Sequence, residues 1–199
     1  MQQHRFWRLS PRLVLVWGML AFGGLAGLFI VSLSGRSASA EPEGHARPFT
    51  LVSPDFTECS PLPHRSELDR FGCDGRNAAP TLRWTGVPQG TTSFALTMTD
   101  YDAPVAGGFH HWVVYNIPAN AEMLNGFSRF TQGLNSFGFS GFGGPCPPAD
   151  GQIHHYIFTL YALTATAPLK AGLTYDELIP LISPEVIGAT VAIGTFARR

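Results

Sequence analysis

His154-His155-Tyr156-Ile157-Phe158-Thr159-Leu160-Tyr161-Ala162-Leu163 is a ten-residue run without Asp, Glu, Lys or Arg. β-Branched and aromatic residues dominate it, and apolar side chains fall at both odd and even positions. That pattern predicts a strand buried in the middle of a sheet. Successive strand side chains point to opposite faces, so His154 shares a face with Tyr156, Phe158 and Leu160, and His155 faces away.

Working upstream, His111 to Ile117 reads as another strand, closed by Pro118. Alternation groups His111 with Val113, Tyr115 and Ile117. Ser93 to Thr99 alternates too, with Phe94, Leu96 and Met98 opposite Ser93, Thr97 and Thr99, and with Ala95 on the polar side. Thr81 to Trp84 is a short strand ended by Gly86-Val87-Pro88-Gln89-Gly90. Phe49 to Phe56 is a first strand, and Cys59 to Asn77 reads as irregular. Downstream, Tyr175 to Ile182 is the best helix, with Thr174 as N-cap and Asp176 and Glu177 in its first turn. Val186 to Phe196 is a final strand. Short strands separated by turn signals, with no internal repeat, predict a mainly β fold, a β-sandwich with few short helices.

The leading residues have a different character. Arg5, Arg8 and Arg12 precede Leu13 to Leu33, which carry no charge, and Ala38-Ser39-Ala40 fits a signal-peptidase site. Residues 1–40 are therefore expected to be a signal peptide cut before Glu41, or a retained membrane anchor. Both readings put the remainder outside the cytoplasm, periplasmic or secreted, with the membrane touched only by this segment. Residues 41–48 read as a linker, and residues 49–199 as one domain. The chain has a formal net charge of -1, but Arg5, Arg8, Arg12 and Arg36 are unopposed by any acid in residues 1–40. The remainder is mildly acidic, which argues against nucleic acid as a partner. In an oxidising compartment, Cys59, Cys73 and Cys146 predict one disulfide and one free thiol, and counting alone leaves all three pairings open.

Titratable residues cluster in three places: Asp100-Tyr101-Asp102-Ala103-Pro104, His110-His111-Trp112 and His154-His155-Tyr156. Charged residues are only 14% of the chain, and buried ionisable groups need partners. One His per strand with one or two Asp can line a small pocket. A zinc site or a weak hydrolase built from Asp100, His111 and His154 is the enzymatic alternative, but H-E-x-x-H and C-x-x-C spacings are absent. Gly138-Phe139-Ser140-Gly141 lacks the last Gly of G-x-S-x-G. Asn135 to Gln152, rich in Gly and Phe, is a loop whose backbone amides can form an anion-binding nest.

In order and spacing, these elements resemble the phosphatidylethanolamine-binding protein family and its exported bacterial, Raf-kinase-inhibitor-like branch. That family has a D-P-D-x-P box, an H-H/H-W element and a G-x-H-R-Y element around a small anion pocket. The corresponding stretches here are Asp100 to Pro104, Phe109 to Pro118 and Gly151 to Phe158. Phe71 to Asn77, Leu82-Arg83-Trp84 and Gly141 to Pro148 look like the exported branch. The resemblance runs from about Phe49 to Arg199. It implies a β-sandwich whose pocket takes phosphate-like head groups, with Asp100, His111 and His154 as its polar residues. Pro104, Phe109, Pro147, Pro148 and Tyr156 would form its apolar wall, and Asp102 and His155 would be structural. It implies no catalytic residue, no cofactor and no resident metal. A small anionic ligand and a protein partner, such as a kinase or protease, would be its partners. It also implies that Cys73 pairs with Cys146, a loop closure worth about 4 kcal/mol in the chain-entropy model. Two residues depart from the pattern. Tyr101 replaces a Pro, which loosens the turn after Asp100. His155 replaces an Arg, so the partner of Asp102 titrates, and acid stability should be lower than in an Arg version.

Overall fold

The computed structural model describes residues 47–164 and 168–199. The leader expected over residues 1–40, and the linker up to residue 46, lie outside the described residues.

In chain order the described strands are β1 (Thr50–Val52), β2 (Ser60–Pro61), β3 (Leu82–Thr85), β4 (Ser93–Asp100), β5 (Phe109–Pro118), β6 (Met123–Leu124), β7 (Thr131–Gln132), β8 (His154–Leu163) and β9 (Val186–Phe196). A single α-helix, α1 (Tyr175–Ile182), and two 3-10 turns, His64–Ser66 and Ser183–Glu185, complete the described elements. The strands form two sheets, β1-β3-β6 and β2-β9-β8-β4-β5-β7. Neighbours are antiparallel except β2, which runs parallel to β9. β8 lies inside the larger sheet, between β4 and β9.

The main core contains Leu51, Leu82 and Trp84 of the small sheet and Phe94, Leu96, Met98, Val114, Phe158 and Leu160 of the large one. The other face of the large sheet is buried as well. Leu178 and Ile182 of α1, with Leu173, cover Ala95, Val113, Tyr115 and Leu163. Each such aliphatic side chain contributes on the order of 2 kcal/mol by leaving water. This corrects the expectation of a polar face on β4. Ala95 is buried because the helix lies over it, and Thr97 and Thr99 beside it on the strand are buried as well. The helix itself starts as expected: Thr174 Oγ1 accepts from the Glu177 amide and the Glu177 carboxylate accepts from the Thr174 amide, a reciprocal cap.

The first strand is shorter than predicted, because Ser53 turns away and donates its hydroxyl to the Thr81 carbonyl (2.7 Å). The stretch read as irregular contains β2 and the first 3-10 turn.

β5 departs from simple alternation in two places. Phe94 pairs with Ile117 but Leu96 with Val114, and Met98 pairs with Trp112 but Thr99 with His110. Each shift is a bulge in which β5 carries one extra residue. In the first bulge Asn116 adopts φ 53°, a left-handed conformation that Asn tolerates. Its amide group donates to Thr131 Oγ1 (2.9 Å) and to the Leu169 carbonyl (2.8 Å). The second bulge makes His111 the extra residue. The predicted grouping of His111 with Val113, Tyr115 and Ile117 is therefore wrong. Val113 and Tyr115 pack under α1, Ile117 lies in the main core, and His110 is the residue that stacks on Tyr175 of the helix, at 3.7 Å between ring centroids.

Candidate functional site

Asp100 ends β4, His154 begins β8, and the bulged start of β5 brings His111 to the same edge of the sheet. Asp100 pairs across the ladder with Phe109 on one side and Tyr156 on the other. A cavity of about 110 Å³ opens there, lined by Asp100, Pro104, Phe109, His111, His154 and Tyr156 together with Pro147 and Pro148. Those are the eight residues expected at a ligand pocket. Ala103, Phe137 and Cys146 also line it and were not expected there.

The polar groups are held tightly. Asp100, 3% exposed, accepts from the Asp102 amide (2.9 Å) and the Ala103 amide (3.1 Å) through Oδ1. This turn fixes the segment after β4 without the Pro that Tyr101 replaces. Asp100 Oδ2 accepts a hydrogen bond from His154 Nδ1 (2.8 Å), which leaves Nε2 as the ring nitrogen available to a guest. His111 donates its Nδ1–H to the Gly143 carbonyl (2.8 Å). Burial pushes its pKa down to about 4, against the pull of the Gly143 carbonyl and the Asp100 charge. His111 is thus neutral near pH 7, and its Nε2 is a hydrogen-bond acceptor. The Tyr156 hydroxyl is buried and makes no well-formed hydrogen bond. Burial and the nearby Asp100 charge hold its proton on firmly, so it remains a donor.

The apolar wall is built by aromatic contacts and by two crosslinks. Phe137 packs edge-on against Phe109 (4.7 Å) and His111 (5.5 Å). Cys73 and Cys146 are joined in a disulfide, and Cys59 is free and exposed. Arg198 donates from Nη1 to the Pro147 carbonyl (3.2 Å) and lies 3.0 Å from Cys73 Sγ. The loop over 135–152 does not offer the open amide nest expected of it. Gly138, Gly141 and Gly143 donate to the carbonyls of Asn135, Gly133 and His111, and Gly144 donates to Asn77 Oδ1. Gly143 and Gly144 serve close packing instead: a Cβ on Gly144 would lie 1.9 Å from the Ser66 carbonyl oxygen. Asn135, also absent from the sequence reading, ties the loop together through the amides of Phe137 and Phe139 and the carbonyl of Gly141.

Asp102 and His155 stand outside the cavity. His155 donates both its amide (2.7 Å) and its Nδ1–H (2.8 Å) to Asp102 Oδ2. The ring hydrogen bond holds the Asp102 carboxyl below the usual carboxylate range. Both side chains are about half exposed, so water screens the pair. Chemically the cavity can recognise a small polar guest, and Cys146, which also lines it, is held in the disulfide. Among the described residues, a group of His, Asp and Glu donor atoms all within 4.8 Å of one another lies elsewhere, outside the cavity.

The family model for phosphatidylethanolamine-binding protein matches residues 52–197. Escherichia coli YbcL is 42% identical over 128 residues, 59% of this chain and 70% of that protein. Its crystal structure, described as a new member of the mammalian PEBP family, superposes with a TM-score of 0.72 at 33% identity, covering 76% of this chain and 99% of that one. Escherichia coli YbhB is 41% identical over 122 residues, 57% of this chain and 77% of that protein. LppC of Mycobacterium tuberculosis, named as a lipoprotein, is 37% identical over 158 residues, 78% of this chain and 75% of that protein. With a two-sheet β fold, a six-stranded central sheet and this family match over nearly all its described residues, the chain belongs to the phosphatidylethanolamine-binding protein family, in the bacterial branch of YbcL and YbhB.

Proposed function

We propose that this protein is an exported binding protein whose pocket takes a small anionic group of the phosphate or phospholipid head-group kind. The observation that carries this reading is the gathering of His111, His154, Asp100 and the buried Tyr156 hydroxyl in one cavity of about 110 Å³. Pro104, Phe109, Pro147 and Pro148 exclude water around them, which strengthens each polar contact. Residues 1–40 would direct export as a signal peptide or anchor, followed by a linker to residue 48. The disulfide fits an oxidising compartment, periplasmic or extracellular. A protein partner would meet the rim of the pocket, and the bound group would modulate that contact.

The tautomers set the chemistry. His111 presents an acceptor, so a guest must bring a proton to it or binding must draw one from solution. Tyr156 supplies a donor. Asp100 on β4 and His110 on β5 are the ionisable neighbours that act on the His111 charge, and they pull in opposite directions. An anion beside the ring raises the His111 pKa, so affinity should rise as pH falls from neutral towards about 4.

The test is a titration with phosphate, acetate and glycerophosphoethanolamine, following the His111 and His154 rings by NMR at two pH values. Saturable shifts, stronger at the lower pH and lost in His111→Ala, are expected. Flat titrations at both pH values would remove the ligand-binding reading and leave a protein-binding surface.

A further inference from the structure

The segment from the first 3-10 turn to the disulfide carries a second group of donor atoms, none of which lines the cavity. His64 and Glu67 lie three residues apart across that turn, and Asp74 follows Cys73 of the disulfide. His64 Nε2 is 3.0 Å from Glu67 Oε2 and 3.2 Å from Asp74 Oδ1. All three donor atoms lie within 4.8 Å of one another. Four ligands placed tetrahedrally at metal bond lengths near 2.0 Å stand roughly 3.3 Å apart. Two edges of this triangle are therefore close to the edges of a tetrahedral site.

We propose that His64, Glu67 and Asp74 bind a divalent transition metal of the zinc class. The backbone holds the three donors before any ion arrives. Gly75 donates to the Leu68 carbonyl (3.0 Å) and Asn77 to the Glu67 carbonyl (2.8 Å), which fixes the 74–77 strand of chain against the turn. Gly75 is required there, since a Cβ would stand 2.1 Å from the Glu67 carbonyl oxygen. Glu67 is only 3% exposed, while the side chains of His64 and Asp74 are open to solvent, so the carboxylate forms the floor of the site and the other two its mouth. Charge points the same way. Two carboxylates face one imidazole. A bound cation offsets that excess of negative charge. One nitrogen and two carboxylate oxygens suit zinc and its neighbours, whereas calcium requires six or more oxygen ligands and magnesium a near-ideal octahedron.

The experiment uses the full chain, stripped of metal with a chelator that is then removed. Zinc chloride is titrated at pH 7 by calorimetry, with thermal unfolding in parallel. One zinc per chain at this site and a raised Tm are expected. His64→Ala and Asp74→Asn alter exposed side chains and should leave the fold intact, yet each should weaken binding by more than about tenfold, the loss that changes in outer-sphere partners already produce. Cys59→Ser should bind as the parent does. Absence of saturable binding, affinity unchanged in both His64→Ala and Asp74→Asn, loss of binding in Cys59→Ser, or an equal response to magnesium would each overturn the proposal.

Discussion

Asp100–His154 and Asp102–His155 are built from the same residue types, two positions apart on one strand end and adjacent on the other. Both have an imidazole Nδ1 2.8 Å from a carboxylate Oδ2. Only their surroundings differ. The first pair has side chains 8% and 4% exposed, and the second 52% and 45%. In the first, Asp100 also holds two backbone amides, and the free ring nitrogen faces a cavity. In the second, the carboxylate ties down the start of β8 and meets water. Identical hydrogen-bond length thus says nothing about worth, because desolvation decides what it costs to lose a partner.

The sharpest way to break this comparison is to remove each carboxylate in turn. Asp100→Ala leaves a buried ring N–H and two amides without an acceptor, and should lower stability by about 3–5 kcal/mol in urea unfolding, with loss of anion binding. Equal effects of Asp100→Ala and Asp102→Ala would end the distinction. Next in size is the pH dependence of His111. Its folded pKa, about 4, lies below the unfolded value near 6.5, so the unfolded chain binds more protons between those limits. Stability should be complete above about pH 6.5 and fall as pH drops towards 4, by on the order of 3 kcal/mol. Saturating phosphate should shrink that loss, and a flat profile over this window would show that the ring is not held neutral by burial. Asp102→Ala should cost less than about 1 kcal/mol, the usual worth of an exposed pair. Because the Asp102 pKa is depressed in the fold, this small contribution is present above the unfolded carboxylate value and disappears on further acidification. The smallest effect belongs to His155→Arg, which should shift the acid midpoint of unfolding slightly downward, and an unchanged midpoint would show that the Asp102 partner is immaterial.

Long, strongly patterned elements were legible from residues alone. β8, β9 and α1 run over the ranges that periodicity and capping indicate, because each presents a continuous face to a core. The two-residue strands β2, β6 and β7 carry too few positions for any period to register. The bulges in β5 were illegible for another reason. A bulge exists only relative to the partner strand, so no local pattern marks His111 as the extra residue. Alternation by itself would have turned His111 towards α1, and it was the motif order around it that placed it beside Asp100 and His154. The supports of the cavity were harder still. Asn77, Phe137 and Arg198 act through contacts distant in sequence, such as Arg198 to Cys73 across 125 residues. Asn77 is a residue type that tolerates its left-handed conformation, but nothing local marks its bonds to Phe142 and Gly144.

That long reach bears on the order in which the molecule can be made. His154 pairs with Phe196, and the wall carrying Cys146 and Pro147 is latched by Arg198. During synthesis, β4, β5 and both cysteines emerge well before β9 does. Until β9 and Arg198 arrive, the nascent chain holds the edge of β8 unpaired and the pocket wall unlatched, although the sulfurs are already free to react. Before the fold forms, loop-closure entropy favours joining Cys59 to nearby Cys73 over joining Cys73 to Cys146, 73 residues away, so the native bond draws on folded contacts, among them the Ile193 carbonyl of the last strand, which accepts from the Cys59 amide.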